Sequence, residues 1–262
     1  MNQGQTIALE CIVLGGKPAP ELVWLKNGFK IKESKELMST TTLSPPDEQL
    51  TKKSVIQVTP SPDDNGNEYS CEAHHKALIK RLKQSVVLSV LFPPGKPIIR
   101  GYSDGEFVRS GDTLQMECLS IGGNPLAQLI WYKNDEQIDF SFTTTTNKQS
   151  QNALSVVIDP NDNNAIYRCV ASSSSLAHPL ITEIKLKVHF PPAKVHIKGP
   201  KQVKAGDNVT VTCLTERSNP AAEISWVLDG RPLIGNNKVE QDSAGGWVTS
   251  SNVTFTITNQ VN

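Results

Sequence analysis

Five cysteines are the side chains of this 262-residue chain whose spacing best suits chemistry, and the chemistry is oxidation in pairs. Three of them follow a glycine by seven residues and precede a tryptophan by thirteen: Gly4–Cys11–Trp24, Gly111–Cys118–Trp131 and Gly206–Cys213–Trp226. The other two close Tyr-x-Cys triplets, Tyr69–Cys71 and Tyr167–Cys169. Other groupings suggest different chemistry and do not sustain it. Gly101-Tyr102-Ser103-Asp104-Gly105 has the spacing of a serine-hydrolase nucleophile turn, which needs a buried strand before the serine and a helix after it. Here a proline-rich stretch precedes it and the strand-like EFVRSGDTLQMEC follows, so it reads as a turn. Cys71-Glu72-Ala73-His74-His75 offers half a zinc set, but no second Cys/His pair stands at ligand spacing. Asp63-Asp64-Asn65 and Asp159-Pro160-Asn161-Asp162-Asn163 carry oxygens of the kind calcium takes. Both fall just ahead of a Tyr-x-Cys, where a polar turn is expected. No catalytic residue, metal ligand or cofactor site is assigned.

The elements that must hold these cysteines are strands. Ahead of Cys213, Val209 and Val211 alternate with Asn208, Thr210 and Thr212, a period of two that marks a strand with one buried face. Leu154, Val156 and Ile158 repeat the pattern in the second block, and Val253, Phe255 and Ile257 in the third. No stretch keeps an apolar period of 3.6 residues over three turns, which excludes long helices. Cys, then Trp, then Tyr-x-Cys is the immunoglobulin signature. It implies that Cys11 bridges Cys71 and Cys118 bridges Cys169 across two facing sheets, with Trp24 and Trp131 packed on the bridges and Tyr69 and Tyr167 tying the corners. On the chain-entropy account each such loop contributes about 4 kcal/mol.

The expected fold is all-β: a tandem of immunoglobulin-like β-sandwiches, I-set or constant-like, over residues 1–91, 92–190 and 191–262. The first block has its template glycine, Gly4, seven residues before its first Cys and only three residues ahead of that glycine, and the third stops at TFTITNQVN, where its Tyr-x-Cys is due. Both are therefore expected to be truncated, leaving Trp226 in a core position and Cys213 unpaired. Ser89-Val90-Leu91-Phe92-Pro93-Pro94 and Lys187-Val188-His189-Phe190-Pro191-Pro192 mark the boundaries, and their stiff proline pairs predict a rigid, end-to-end array.

Lys+Arg and Asp+Glu both number 26, so no net field recruits nucleic acid or anionic lipid. No apolar run approaches the roughly 18 residues of a membrane span, and MNQGQTIALECIV lacks the layout of a secretory leader. The paired cysteines nevertheless point to an oxidising compartment, so both signals are expected outside this stretch. Asn208-Val209-Thr210 and Asn252-Val253-Thr254 are glycosylation sequons whose Asn side chains point away from the core by alternation. His74, His75, Lys76, Lys80, Arg81 and Lys83 form a basic cluster that could contact a glycosaminoglycan or serve as a solvated loop. Trp247, in GGWVTSSN, stands outside the repeat as either a contact residue or a sheet-edge cover.

GGNPLAQLIWYKND, SNPAAEISWVLDGRPL with GGWVTSSNVTFTI, and CEAHHKAL with SVLFPPGKPIIRGYSDGE resemble the nephrin-like adhesion receptors, a family that includes sticks-and-stones and hibris. The resemblance covers essentially the whole chain, in the order of the second, third and fourth immunoglobulin domains. It implies a single-pass receptor on the extracellular side of the plasma membrane. Its partners would be Neph or kin-of-irregular-chiasm receptors, met mainly through the first domain. The resemblance brings no catalytic residues. Asn65 and Asn163 depart from it, standing six residues before a Cys where many immunoglobulin domains have Asp. The alternative is a ligand-binding immunoglobulin ectodomain of a signalling receptor or a secreted factor.

Overall fold

A computed structural model describes residues 1–32, 36–44 and 49–258. The described residues form β-strands joined by turns, with short 3-10 turns at Pro62–Asp64 and Pro160–Asp162. The chain divides into two compact units. One is Met1–Gly95 with Gly122–Leu126 and Ser173–Ala177; the other is Lys96–Ile121 with Ala127–Ser172 and His178–Asn262.

In the first unit a three-stranded sheet runs Ile7–Val13, Gln49–Val58, Glu36–Ser44, and a four-stranded sheet runs Phe29–Lys30, Glu21–Lys26, Glu68–His74, Leu82–Val87. The strands within these two sheets pair antiparallel, and alternate residues along each share a face. Ile7, Leu9 and Cys11 turn inward and join Trp24, Ile56, Val58, Tyr69, Cys71, Leu88 and Val90 in one core.

The second unit holds two assemblies. The first pairs a sheet of Thr143–Thr145, Gln149–Val157, Thr113–Ile121 and Ile98–Arg100 with one of Glu136–Asp139, Gln128–Lys133, Ile166–Ser172 and Leu180–Lys185. Lys187–His189 runs parallel to Phe107–Arg109. Between the sheets lies the larger of the two hydrophobic cores among the described residues, built on Met116, Cys118, Leu129, Trp131, Ile158, Tyr167, Cys169, Leu186 and Val188. The second assembly is a sheet of Val195–Lys198, Asn208–Thr215, Trp247–Thr256 and Asn236–Gln241, with a short hairpin, Trp226–Leu228 and Arg231–Leu233. Val209 and Val253 are buried there, yet Ile197 is 71% exposed and Ile234 99% exposed. One hairpin covers only part of the inner face, which makes this assembly an open sheet beside the closed sandwich around Trp131. The fold is all-β and built of immunoglobulin-like sheets.

Candidate functional site

Each cysteine of the repeat lies opposite a strand position that the neighbouring tryptophan uses. Cys11 pairs with Ser54, Cys118 with Asn152 and Cys213 with Ser251. The Trp24 indole N–H donates to Ser54 Oγ at 2.9 Å and that of Trp226 to Ser251 Oγ at 2.8 Å. Trp131 donates instead to the backbone carbonyl of Asn152 at 3.1 Å. This leaves the Asn152 amide to donate to Leu129 O and Asp139 Oδ1, both at 3.1 Å. Trp24 stands across from Cys71 and Trp131 across from Cys169, so each ring lies beside a bridge. Cys11 is joined to Cys71 and Cys118 to Cys169, each with Cα atoms 6.3 Å apart; Cys213 is free and half-buried. An indole on a disulfide presents shape and apolar area, with no reactive group turned outward.

The two acidic clusters form corners, and the corners repeat. Asp64 and Asp162 are buried. Each accepts a bond from the Tyr hydroxyl five residues on, at 3.4 Å for Tyr69 and 3.0 Å for Tyr167. Each also pairs with a lysine of the adjacent sheet: Lys26 with Asp64, and Lys133 with Asp162 at 2.5 Å. The same ammonium groups lie 5.8 Å from the Tyr ring centres. Burial alone would raise the Asp64 carboxyl. The Lys26 ammonium and the backbone and hydroxyl donors of Ser61 outweigh it and hold Asp64 far below the usual carboxylate range. Burial, and then the Asp64 charge, push the Tyr69 hydroxyl up; burial and Asp162 do the same to Tyr167. The carboxylates face protein donors, and among the described residues no three His, Cys, Asp or Glu side chains gather as a metal requires. The Asp seven residues before each Cys takes the lysine. Asn65 and Asn163, which the sequence marks as departures, use Oδ1 to accept the backbone N–H of Val90 (3.0 Å) and Val188 (3.1 Å). Nothing in the make-up of these clusters, with two Asp and one Asn in the first and two of each in the second, signals that division of labour.

The G-x-S-x-G stretch is a turn. Gly101 has φ +93°, and a Cβ there would lie 2.1 Å from Gln115 O, so only glycine fits. The buried Tyr102 bonds Glu106 O at 2.7 Å and Lys185 O at 3.3 Å, which pins the segment to the closed sandwich. Asn208 and Asn252 are both exposed on the outward face of the open sheet. Asn208 Oδ1 accepts from the Thr256 hydroxyl at 2.7 Å, and the two sequon threonines, Thr210 and Thr254, bond each other at 2.8 Å. In the basic cluster Glu72 meets Arg81 at 3.3 Å and His74 at 3.4 Å, Glu68 meets Lys83 at 3.4 Å, and His75 Nε2 lies 2.9 Å from Pro18 O. Lys76 and Lys80 are exposed. No helix among the described residues is long and apolar enough to cross a membrane.

Comparison with known proteins adds to this geometry. A family model for the CD80-like C2-set immunoglobulin domain matches residues 1–81 and 195–262, and one for the immunoglobulin domain matches 96–173. Mouse nephrin is 31% identical over 263 residues, covering 99% of this chain and 21% of nephrin. The cell adhesion molecule Dscam1 of Drosophila melanogaster is 23% identical over 237 residues, 89% of this chain and 11% of its own length. Rat cell surface glycoprotein MUC18 is 24% identical over 258 residues, 93% of this chain and 39% of its own. The chain therefore spans about a fifth of nephrin's length. Among solved structures, the titin I-band fragment I67–I69 superposes with a TM-score of 0.58 at 22% identity, covering 96% of this chain and 83% of that one. That last likeness is one of fold.

Proposed function

The chain belongs to the immunoglobulin superfamily and is nephrin-like, and on that premise we propose that it is part of the ectodomain of a cell-surface adhesion receptor. It is not an enzyme, since proteins of this kind are built of non-catalytic domains. Its relatives include cell adhesion and cell-surface proteins. The observation that carries the reading is the match to nephrin along 99% of the chain. Two disulfides and two outward sequons support an oxidising, glycosylating route to the extracellular side of the plasma membrane. In this reading the domains are 1–91, 92–190 and 191–262, and glycans stand on Asn208 and Asn252. The partners are other immunoglobulin-superfamily receptors of the Neph or kin-of-irregular-chiasm type, and these residues act as a spacer with room for lateral contact. A glycosaminoglycan would meet Lys76 and Lys80 first, since Arg81 and Lys83 are engaged with glutamates.

The test is suspension-cell aggregation. Cells displaying the receptor that contains this chain are mixed with cells displaying a Neph-type receptor. Mixed aggregates are expected; segregation of the two populations would overturn the reading. Surface plasmon resonance with the 262 residues alone over a Neph-type ectodomain is expected to show little binding. Strong binding would move the contact site into this stretch.

A further inference from the structure

Gly245-Gly246-Trp247, which the adhesion reading leaves without a role, meets Arg217–Asn219 and the end of the closed sandwich in one cluster. Phe190 and Asn219 exchange two backbone bonds, each 2.9 Å, and Asn219 Nδ2 donates to Val188 O at 2.7 Å. Beside them Ser218 and Trp247 exchange two more, each 2.8 Å. Trp247 thus contributes its backbone to the cluster, while its side chain stays in contact with solvent. Arg217 spans the group. Its guanidinium lies 5.3 Å from the Phe190 ring centre. Nη1 donates to Ala244 O at 3.2 Å and Gly245 O at 3.3 Å, and lies 3.5 Å from Pro160 O; Nη2 donates to Asn161 Oδ1 at 2.5 Å. One side chain therefore grips a corner of the closed sandwich, the aromatic residue after its last strand, and a hairpin of the open sheet. The hairpin must be glycine: a Cβ on Gly246 (φ +99°) would stand 2.8 Å from Ser218 O and 2.9 Å from Phe190 Cζ.

We propose that Arg217 is a latch that holds the open sheet in one orientation on the closed sandwich, and that this joint opens as a step of its own. The chain carries an internal contrast. In the first unit Phe92 and Asn124 exchange the same pair of backbone bonds, at 3.2 and 2.9 Å, and Asn124 Nδ2 donates to Val90 O at 2.8 Å. Two residues before Asn124 stands Gly122, whereas two residues before Asn219 stands Arg217. The ladder forms without an arginine, so the arginine is an addition to it. Its planar fork suits the task, because several carbonyls, an amide oxygen and an aromatic face are met at once. The proposal does not depend on the adhesive reading.

The full 262-residue chain is compared with Arg217→Ala by amide hydrogen exchange and by residual dipolar couplings. In the variant the amides of Phe190 and Asn219 are expected to exchange roughly tenfold faster or more, while the strands Asn208–Thr215 and Trp247–Thr256 keep their protection. One alignment tensor should fit both assemblies in the native chain, and two should be needed in the variant. Arg217→Lys, which keeps the charge and loses the fork, should follow the alanine variant. Unchanged exchange at Phe190 and Asn219, or a single tensor for the variant, would overturn the latch. Equal loss of protection throughout the open sheet would also overturn it, because Arg217 would then only stabilise that sheet. Native behaviour in the lysine variant would overturn the donor geometry as its cause.

Discussion

The closed sandwich around Trp131 and the open sheet around Trp226 start from one spacing of Gly, Cys and Trp and reach different interiors. In the first, a second four-stranded sheet faces the Cys118 strand, a disulfide joins the two, and Trp131 is fully buried. In the second, the facing layer is a short hairpin, Cys213 is free, and Trp226 is half-buried although its indole makes the matching bond to Ser251. Alternation aims side chains at a face. It buries them only when something of equal area lies opposite. The indole bond forms in both, so it reports strand register and not enclosure.

Trp131→Ala should give the largest effect, about 3–5 kcal/mol of destabilisation, because it empties a closed core. Trp226→Ala, which removes a half-exposed ring and one hydrogen bond, should cost about 1–2 kcal/mol. Denaturant titration followed block by block, with resolved amide signals, measures both; equal losses would break the comparison. Removing the bridge by Cys118→Ala with Cys169→Ala should cost about 2–5 kcal/mol in the closed sandwich. Cys213→Ser, with no bond to lose, should stay within about 0.5 kcal/mol.

The corner of the first unit sharpens the comparison through pH. Asp64 has a folded pKa below its unfolded value, so its contribution is full above about pH 4 and is lost as pH falls further. Asp64→Asn should destabilise the first unit by about 1–3 kcal/mol at neutral pH. The gap to the native chain should close on acidification toward about pH 2, and a gap independent of pH would refute the Lys26–Asp64 account. The smallest effect is expected on the outward face of the open sheet. Asn208→Gln and Asn252→Gln should change stability by less than about 0.5 kcal/mol. Each should remove one glycan's mass from protein made in a secretory host, and a mass indifferent to both changes and to glycosidase would refute occupancy.

Much of this was legible in the residues alone. The all-β class, the inward phase of Val209, Val253, Leu154 and Ile158, and the exposed sequon asparagines all follow from a period of two; the cysteine pairing is what the immunoglobulin signature of Cys, Trp and Tyr-x-Cys implies. That period is a property of the strand backbone, independent of what the strand packs against. Other features depended on which strands came together. Asp64 and Asp162 reach lysines far away in sequence, and Asn65 and Asn163 turn to backbone amides instead. Arg217 lies in a stretch with no periodic signal, and its partners, Asn161, Phe190 and Gly245, come from three separate segments. A side chain's bonding partner across a fold depends on register and corner geometry over long separations, and no local spacing encodes either. The exposure of Ile197 and Ile234 divides between the two: the sequence predicts that the third block lacks part of its sandwich, and the tertiary structure decides that these two side chains are among those left exposed.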